Sequence, residues 1–137
     1  MSSYASVKTI FNDRECLIEA LVEMGYAREH IEVHETAQGL YGYHGDLRQE
    51  KANVIVRRQH VGGASNDIGW EKQTDGTYTQ HISDYDAHKH DAKWLTGLKA
   101  SYTEKRAVKE MKRQGLRFMS REKIGNKIVV KYLKQGV

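Results

Sequence analysis

The sequence predicts an α+β fold: a single antiparallel sheet with an N-terminal helix, then a long helical region, bent or doubled, followed by a β-hairpin. Three observations predict it. One amphipathic segment near the N-terminus repeats with helical period, residues 31–83 alternate with a period of two between glycine-containing turns, and a second helix-period stretch over 86–114 precedes two β-rich runs.

Residues 3–11, SYASVKTIF, alternate loosely with β-branched and aromatic members, which suits a first strand. Asn12 then starts a helix. Its side chain can cap the first turn while Glu15 reaches back toward its amide, and Gly25 closes the segment where a left-handed residue is wanted. Leu17, Leu21 and Met24 share one face of this helix; Glu15, Glu19 and Glu23 line another. IEVHET, KANVIVRR, NDIGWEK and GTYTQHIS then read as strands of a meander, separated by GLYGYHG, VGGASN and TDG. Asp75-Gly76 suits a tight primed turn, and His60–Ser65 reads as a mobile loop.

In the stretch 86–114 the apolar face does not stay in one place. Trp94, Leu95, Leu98 and Tyr102 form one stripe, whereas Ala107, Val108 and Met111 lie round the other side. A bend or two consecutive helices would account for the drift, and Ser101 with Glu104 has the spacing of a second capping box. Gly115 ends the region. LRFMSRE and KIVVKYL form the last hairpin, with Gly125 and Asn126 as turn residues.

A chain of 137 residues fits one domain, 1–137, and no proline-rich linker, repeat or low-complexity tract divides it. Apolar residues are 39% of the chain and never form the run of about 18 needed to span a bilayer. The N-terminus MSSYASVKTI lacks the basic and apolar parts of a signal peptide, so a cytoplasmic location and no membrane partner are expected. Cys16 stands alone, which excludes an internal disulfide and a multi-thiolate zinc site.

The net charge of +4 hides a strong asymmetry. Residues 1–88 carry 8 basic against 14 acidic side chains, a balance of −6, and residues 89–137 carry 14 against 4, a balance of +10. Within the second helical region Lys105, Arg106, Lys109, Lys112 and Arg113 share the face opposite Ala107, Val108 and Met111. Two readings follow: the basic third packs against acidic parts of its own or a neighbouring copy, or it faces outward as a positive strip that binds nucleic acid by releasing counterions. Arg57 and Arg58 lie beside the strand aromatics Tyr41, Tyr43, Trp70 and Tyr78, and Tyr43, Trp70 and Tyr78 are candidates to stack bases if those rings are not core.

Asp84, Asp86, His88, His90 and Asp91 gather five potential metal ligands, but residues two apart on a helix diverge, so an acidic helix start is the better account and no metal is assigned. Cys16 lacks a base placed beside it, and the glycine-rich pieces lack the Lys-Ser/Thr ending of a phosphate loop; no catalytic residue and no cofactor are assigned.

The order SVKT, a helix ending in GY, YGYHG, ANVIVR, NDIGWE and DGTY resembles the conserved hypothetical proteins of about 125 residues encoded in cyanobacterial genomes and red-algal plastids, with relatives in bacteria and phages. The resemblance covers nearly the whole chain. It implies a small cytoplasmic α+β protein of a domain of unknown function, with no catalytic residue to carry over; residues 83–91 depart from the family's more apolar stretch. The expectation is therefore a non-enzymatic binding or accessory protein that forms a homo-oligomer or meets a protein partner. One alternative is a nucleic-acid binder using the basic helix, and another a binder or sequestering inhibitor of a small anionic nucleotide, of a kind a phage could encode.

Overall fold

The structure, a computed structural model, describes residues 2–134. Strands β1 (Tyr4–Lys8), β2 (Ile31–Tyr41), β3 (Leu47–Val56), β4 (Ile68–Lys72) and β5 (Tyr78–Ser83) form one antiparallel sheet in the order β1-β5-β4-β3-β2. Helices α1 (Arg14–Glu23), α2 (Arg58–Val61) and α3 (Ala92–Arg113) accompany it, with 3₁₀ turns at Arg28–His30 and Asp86–His88. Strands β6 (Leu116–Ile124) and β7 (Lys127–Lys134) pair only with each other. No helix among the described residues is long and apolar enough to cross a membrane.

Strand alternation sends every second side chain of the sheet toward α1 and α3. Val54, Val56, Ile68, Trp70 and Ile82 meet Leu17 and Leu21 of α1 and Leu98 and Tyr102 of α3 in the main core, where Phe11 is also fully buried. The opposite face keeps a smaller cluster of Leu40, Ala52 and Ile55 with Tyr4. Gly69 is required there, because a Cβ would lie 2.5 Å from Ala52 Cβ.

Several local expectations are corrected. The first helix is capped by Asp13, whose carboxylate accepts from Cys16 N at 3.0 Å, and Asn12 instead meets the Tyr102 hydroxyl. The second helical region holds one unbroken helix: α3 is capped by Asp91, which accepts from Trp94 N at 2.9 Å, and runs from Ala92 to Arg113, while the Ser101 hydroxyl donates to Glu23. Its apolar face drifts because it has two neighbours. Trp94, Leu95, Leu98 and Tyr102 pack on the main core, whereas Ala107 and Met111 face Ile128, Val130 and Tyr132 of β7. The 73–77 hairpin is three residues long at its tip, with only Gly76 left-handed (φ 87°) and Asp75 accepting from Thr77 N at 2.9 Å. Residues 58–61 form the single turn α2, so the loop expected over 60–65 begins only after Val61, and Ser65 at its end is buried.

Candidate functional site

The basic face of α3 is not a free strip. Lys105 lies 3.2 Å from Glu23 and 3.1 Å from Glu104, Arg106 and Lys109 lie 3.5 Å and 2.7 Å from Asp13, and Arg113 lies 2.7 Å from Glu110. Lys112 has no ion-pair partner among the described residues. Lys105, Arg106 and Lys109 therefore fasten α3 to α1 and its cap within one copy, while Arg113 pairs within α3 itself. Burial alone would raise the Glu23 carboxyl, but hydrogen bonds from Ser101 and Lys105 and the charge of Arg121 hold it below its ordinary value. Glu104 is held low against burial by Arg121 and Lys105, and Asp13 against burial by Lys109 and the Cys16 amide.

Free positive charge lies one element later. The ribbon β6–β7 carries Arg117, Lys123, Lys127, Lys131 and Lys134, none with an ion-pair partner among the described residues, and only Arg121 is engaged, with Glu23 and Glu104. Strand β7 alternates. Ile128, Val130 and Tyr132 turn half-buried toward α3; Lys127, Val129, Lys131 and Leu133 face outward, beside exposed Ile124 and Arg117 of β6. Phe118 and Met119 are also exposed. An isolated two-stranded ribbon with unpaired edges gains stability only by packing, and one face of this one is uncovered.

The reciprocal surface is on α1. Ile18 and Val22 floor a groove of about 420 Å³ rimmed by Glu15, Glu19 and Arg28. Both glutamates are exposed and lack an ion-pair partner among the described residues. As like charges one turn apart they repel by about 0.2–0.5 kcal/mol, and Arg28 is turned to the Ile31 carbonyl at 3.0 Å.

The sheet arginines and aromatics divide. Trp70 (0% exposed) and Tyr78 (3%) are core side chains and cannot stack bases; Trp70 Nε1 donates to Gln80 at 3.1 Å. Arg57 is consumed by Glu32 (2.9 Å), the Gly39 carbonyl (3.0 Å) and buried Asp67 (2.8 Å). Arg58 and Tyr43 do come together: the guanidinium lies 5.7 Å over the exposed Tyr43 ring. The alternation in KIVVKYL, read in the sequence as a hairpin strand, also marks a cation–apolar face.

Among the acidic and imidazole residues of 84–91, Asp86 and His90 are buried while Asp84 and His88 are exposed, and no group of three or more His, Cys, Asp or Glu among the described residues is arranged for a metal. Cys16 is buried, and burial followed by the Asp13 charge pushes its thiol up to about 11, far from a nucleophilic thiolate. One string escaped the sequence altogether: Ser6 Oγ lies 2.8 Å from His81 Nδ1, and His81 Nε2 lies 2.9 Å from Glu71. Nucleophilic use of this string would need amide donors aimed at a reacting carbonyl; as it stands it ties β1, β5 and β4 across the sheet.

A family model described as a protein of unknown function (DUF1257) matches residues 20–127. No curated protein and no solved structure matches the chain.

Proposed function

The chain belongs to the DUF1257 family of proteins of unknown function, and from that premise we propose that it is a non-enzymatic binding protein that associates with a second copy of itself. The outer face of β6–β7 in one copy lies on the α1 groove of the other. One observation carries this reading: the ribbon alternates unpaired cations with exposed apolar side chains, and the α1 groove presents exposed apolar Val22 one turn beyond the unpaired Glu15 and Glu19. Burying Val129 and Leu133 against Ile18 and Val22 gives apolar area. Lys127 and Lys131 would meet Glu15 and Glu19, which sets orientation and salt sensitivity. Pairing ribbon to ribbon is disfavoured, since five unpaired cations would face five.

The asymmetry between the acidic first part of the chain and its basic last third supports assembly only through those charges that are not already paired within one copy. Sedimentation velocity at low and high salt tests it. Wild type sediments as an assembly that loosens with salt. Lys127→Glu/Lys131→Glu and Glu15→Lys/Glu19→Lys each give monomer, and the four changes in one chain restore association. A monomer under all conditions refutes the reading.

A second reading has its own support, because a β-ribbon with interleaved cations is also a nucleic-acid-binding surface. Its signature differs. Oligonucleotide affinity and its salt slope would fall on reversing Lys127 and Lys131, and would fall far less on replacing Arg106 by Gln, since Asp13 keeps Lys109 as its partner.

A further inference from the structure

A cleft of about 370 Å³ opens where the start of α1 meets the end of β4 and the start of β5. That volume is in the range of small-molecule sites, about 300–1,000 Å³. Tyr78 stands in its wall. The ring belongs to the main core and the residue is 3% exposed, yet its hydroxyl has no hydrogen-bond partner among the described residues. Burial raises this hydroxyl above its ordinary value, and the charges that act on it next are those of Arg14, Asp13 and Glu35, all in the cleft lining, so the hydroxyl faces the cleft. A buried donor left unpaired is destabilising, and a ligand that accepts from it removes the penalty.

Further donors stand at the same place. The Asp13 carboxylate caps Cys16 N, and the first bond of the helix runs from Leu17 N to the Asp13 carbonyl at 3.0 Å, which leaves the Arg14 and Glu15 amides without a partner among the described residues. Lys72, at the end of β4, is exposed and has no ion-pair partner among them. The carboxylates of the lining are unequal. Asp13 is held by Lys109 at 2.7 Å, Glu15 also lines the α1 groove, and exposed Glu35 gives only Oε1 to Arg14 at 3.0 Å and keeps Oε2 open. The larger cleft between the 43–46 turn and residues 84–85, about 690 Å³, shows the contrast: Arg48 in its lining is already bonded to the Ser2 carbonyl and lies 3.8 Å from Asp46.

The two ends of the smaller cleft are held in place. Buried Asn53 donates to the Glu35 carbonyl at 3.1 Å and accepts from Lys72 N at 2.9 Å, while the Tyr102 hydroxyl accepts from Asn12 N at 2.9 Å and Asp13 N at 3.0 Å. The site is therefore formed before any ligand arrives. It offers donors for an anionic group and, on Glu35, an open acceptor for a cationic one.

We propose that this cleft binds a free α-amino acid. Its carboxylate accepts from the Arg14 and Glu15 amides and the Tyr78 hydroxyl, beside the Lys72 ammonium, and its α-ammonium donates to Glu35. Tyr78, Lys72 and Glu35 lie outside both the ribbon and the α1 groove, so the site stands or falls independently of self-association.

Calorimetric titration of the full chain with the twenty amino acids tests it. At least one binds, and its N-acetyl derivative, which lacks the ammonium, and its carboxamide, which lacks the carboxylate, each bind about tenfold more weakly. Tyr78→Phe keeps the core ring and removes only the unpaired hydroxyl, so its urea midpoint equals or exceeds that of wild type while affinity falls about tenfold. Lys72→Gln, at an exposed side chain, leaves circular dichroism unchanged and lowers affinity about threefold. Absence of binding by all twenty, a derivative that binds as tightly as its parent, or unchanged affinity in a folded Tyr78→Phe or in Lys72→Gln overturns the proposal.

Discussion

Arg121→Ala isolates what holds the ribbon to the body. Arg121 projects from β6, and its Nη2 lies 2.8 Å from Glu23 on α1 and 3.0 Å from Glu104 on α3, while Nε also donates to Glu104. The side chains are 33% exposed for Arg121, 30% for Glu23 and 6% for Glu104, so the cluster is half out of water. Breaking a fully buried pair costs about 3–5 kcal/mol and an exposed one about 0–1 kcal/mol. Lys105 stays within 3.2 Å of both carboxylates and keeps them partly compensated, which sets the loss at about 1–2 kcal/mol. The loss falls on one place. Besides this cluster the ribbon is held by Ile128, Val130 and Tyr132 on α3, with the Tyr132 hydroxyl buried and without a hydrogen-bond partner among the described residues. Hydrogen exchange with mass spectrometry should therefore show ribbon amides exchanging about 5–30-fold faster, with β3, β4 and β5 unchanged. Arg106→Ala is the control: Asp13 keeps Lys109 at 2.7 Å, and the change should stay within about 0.5 kcal/mol. Unchanged ribbon exchange in Arg121→Ala, or equal acceleration throughout the chain, would refute the reasoning.

Gly69→Ala drives a Cβ to 2.5 Å from Ala52 and 3.1 Å from Leu40; an overpacking loss of about 1–3 kcal/mol is expected by urea denaturation. Asp13, Glu23 and Glu104 are held below their ordinary values of 3.8, 4.5 and 4.5 in the folded chain. Groups with depressed folded values stabilise fully above the unfolded values and lose that contribution as pH falls through the folded ones. The urea midpoint should accordingly drop below the ordinary carboxylate range, and by less in Glu23→Gln. Cys16, with its thiol pushed up to about 11 by burial, should react with a thiol reagent only as fast as the core opens; rapid native labelling would contradict its placement.

The parts legible in the sequence are those set by neighbours along the chain. The amphipathic run Glu15–Met24 and the Gly25 stop (φ 115°) give α1, and Asp75-Gly76 and Gly125-Asn126 mark hairpin ends where the structure has them. Cap identity slipped by one, because Asn12 and Asp13 are both good caps and only Tyr102, 90 residues away, decides which is used elsewhere. The continuity of α3 was hidden for a related reason: a helix with two packing partners shows two apolar faces, which periodicity alone reads as a break. Neutralisation of Lys105, Arg106 and Lys109 rests on Asp13 and Glu23, 82–96 residues earlier in the chain, and no spacing rule reaches that far. The cleft between the 43–46 turn and residues 84–85 is likewise a meeting of two turns, visible only once the sheet order is known.

Cross-chain cysteine linkage tests the assembly most directly. Val22 and Val129 are 41% and 42% exposed, so Val22→Cys and Val129→Cys should each fold unchanged. Mixed and mildly oxidised, the two variants should form a mixed disulfide-linked pair in clear excess over either like-with-like pair. Equal amounts of all three products, or none, would mean that the ribbon of one copy does not lie on α1 of another.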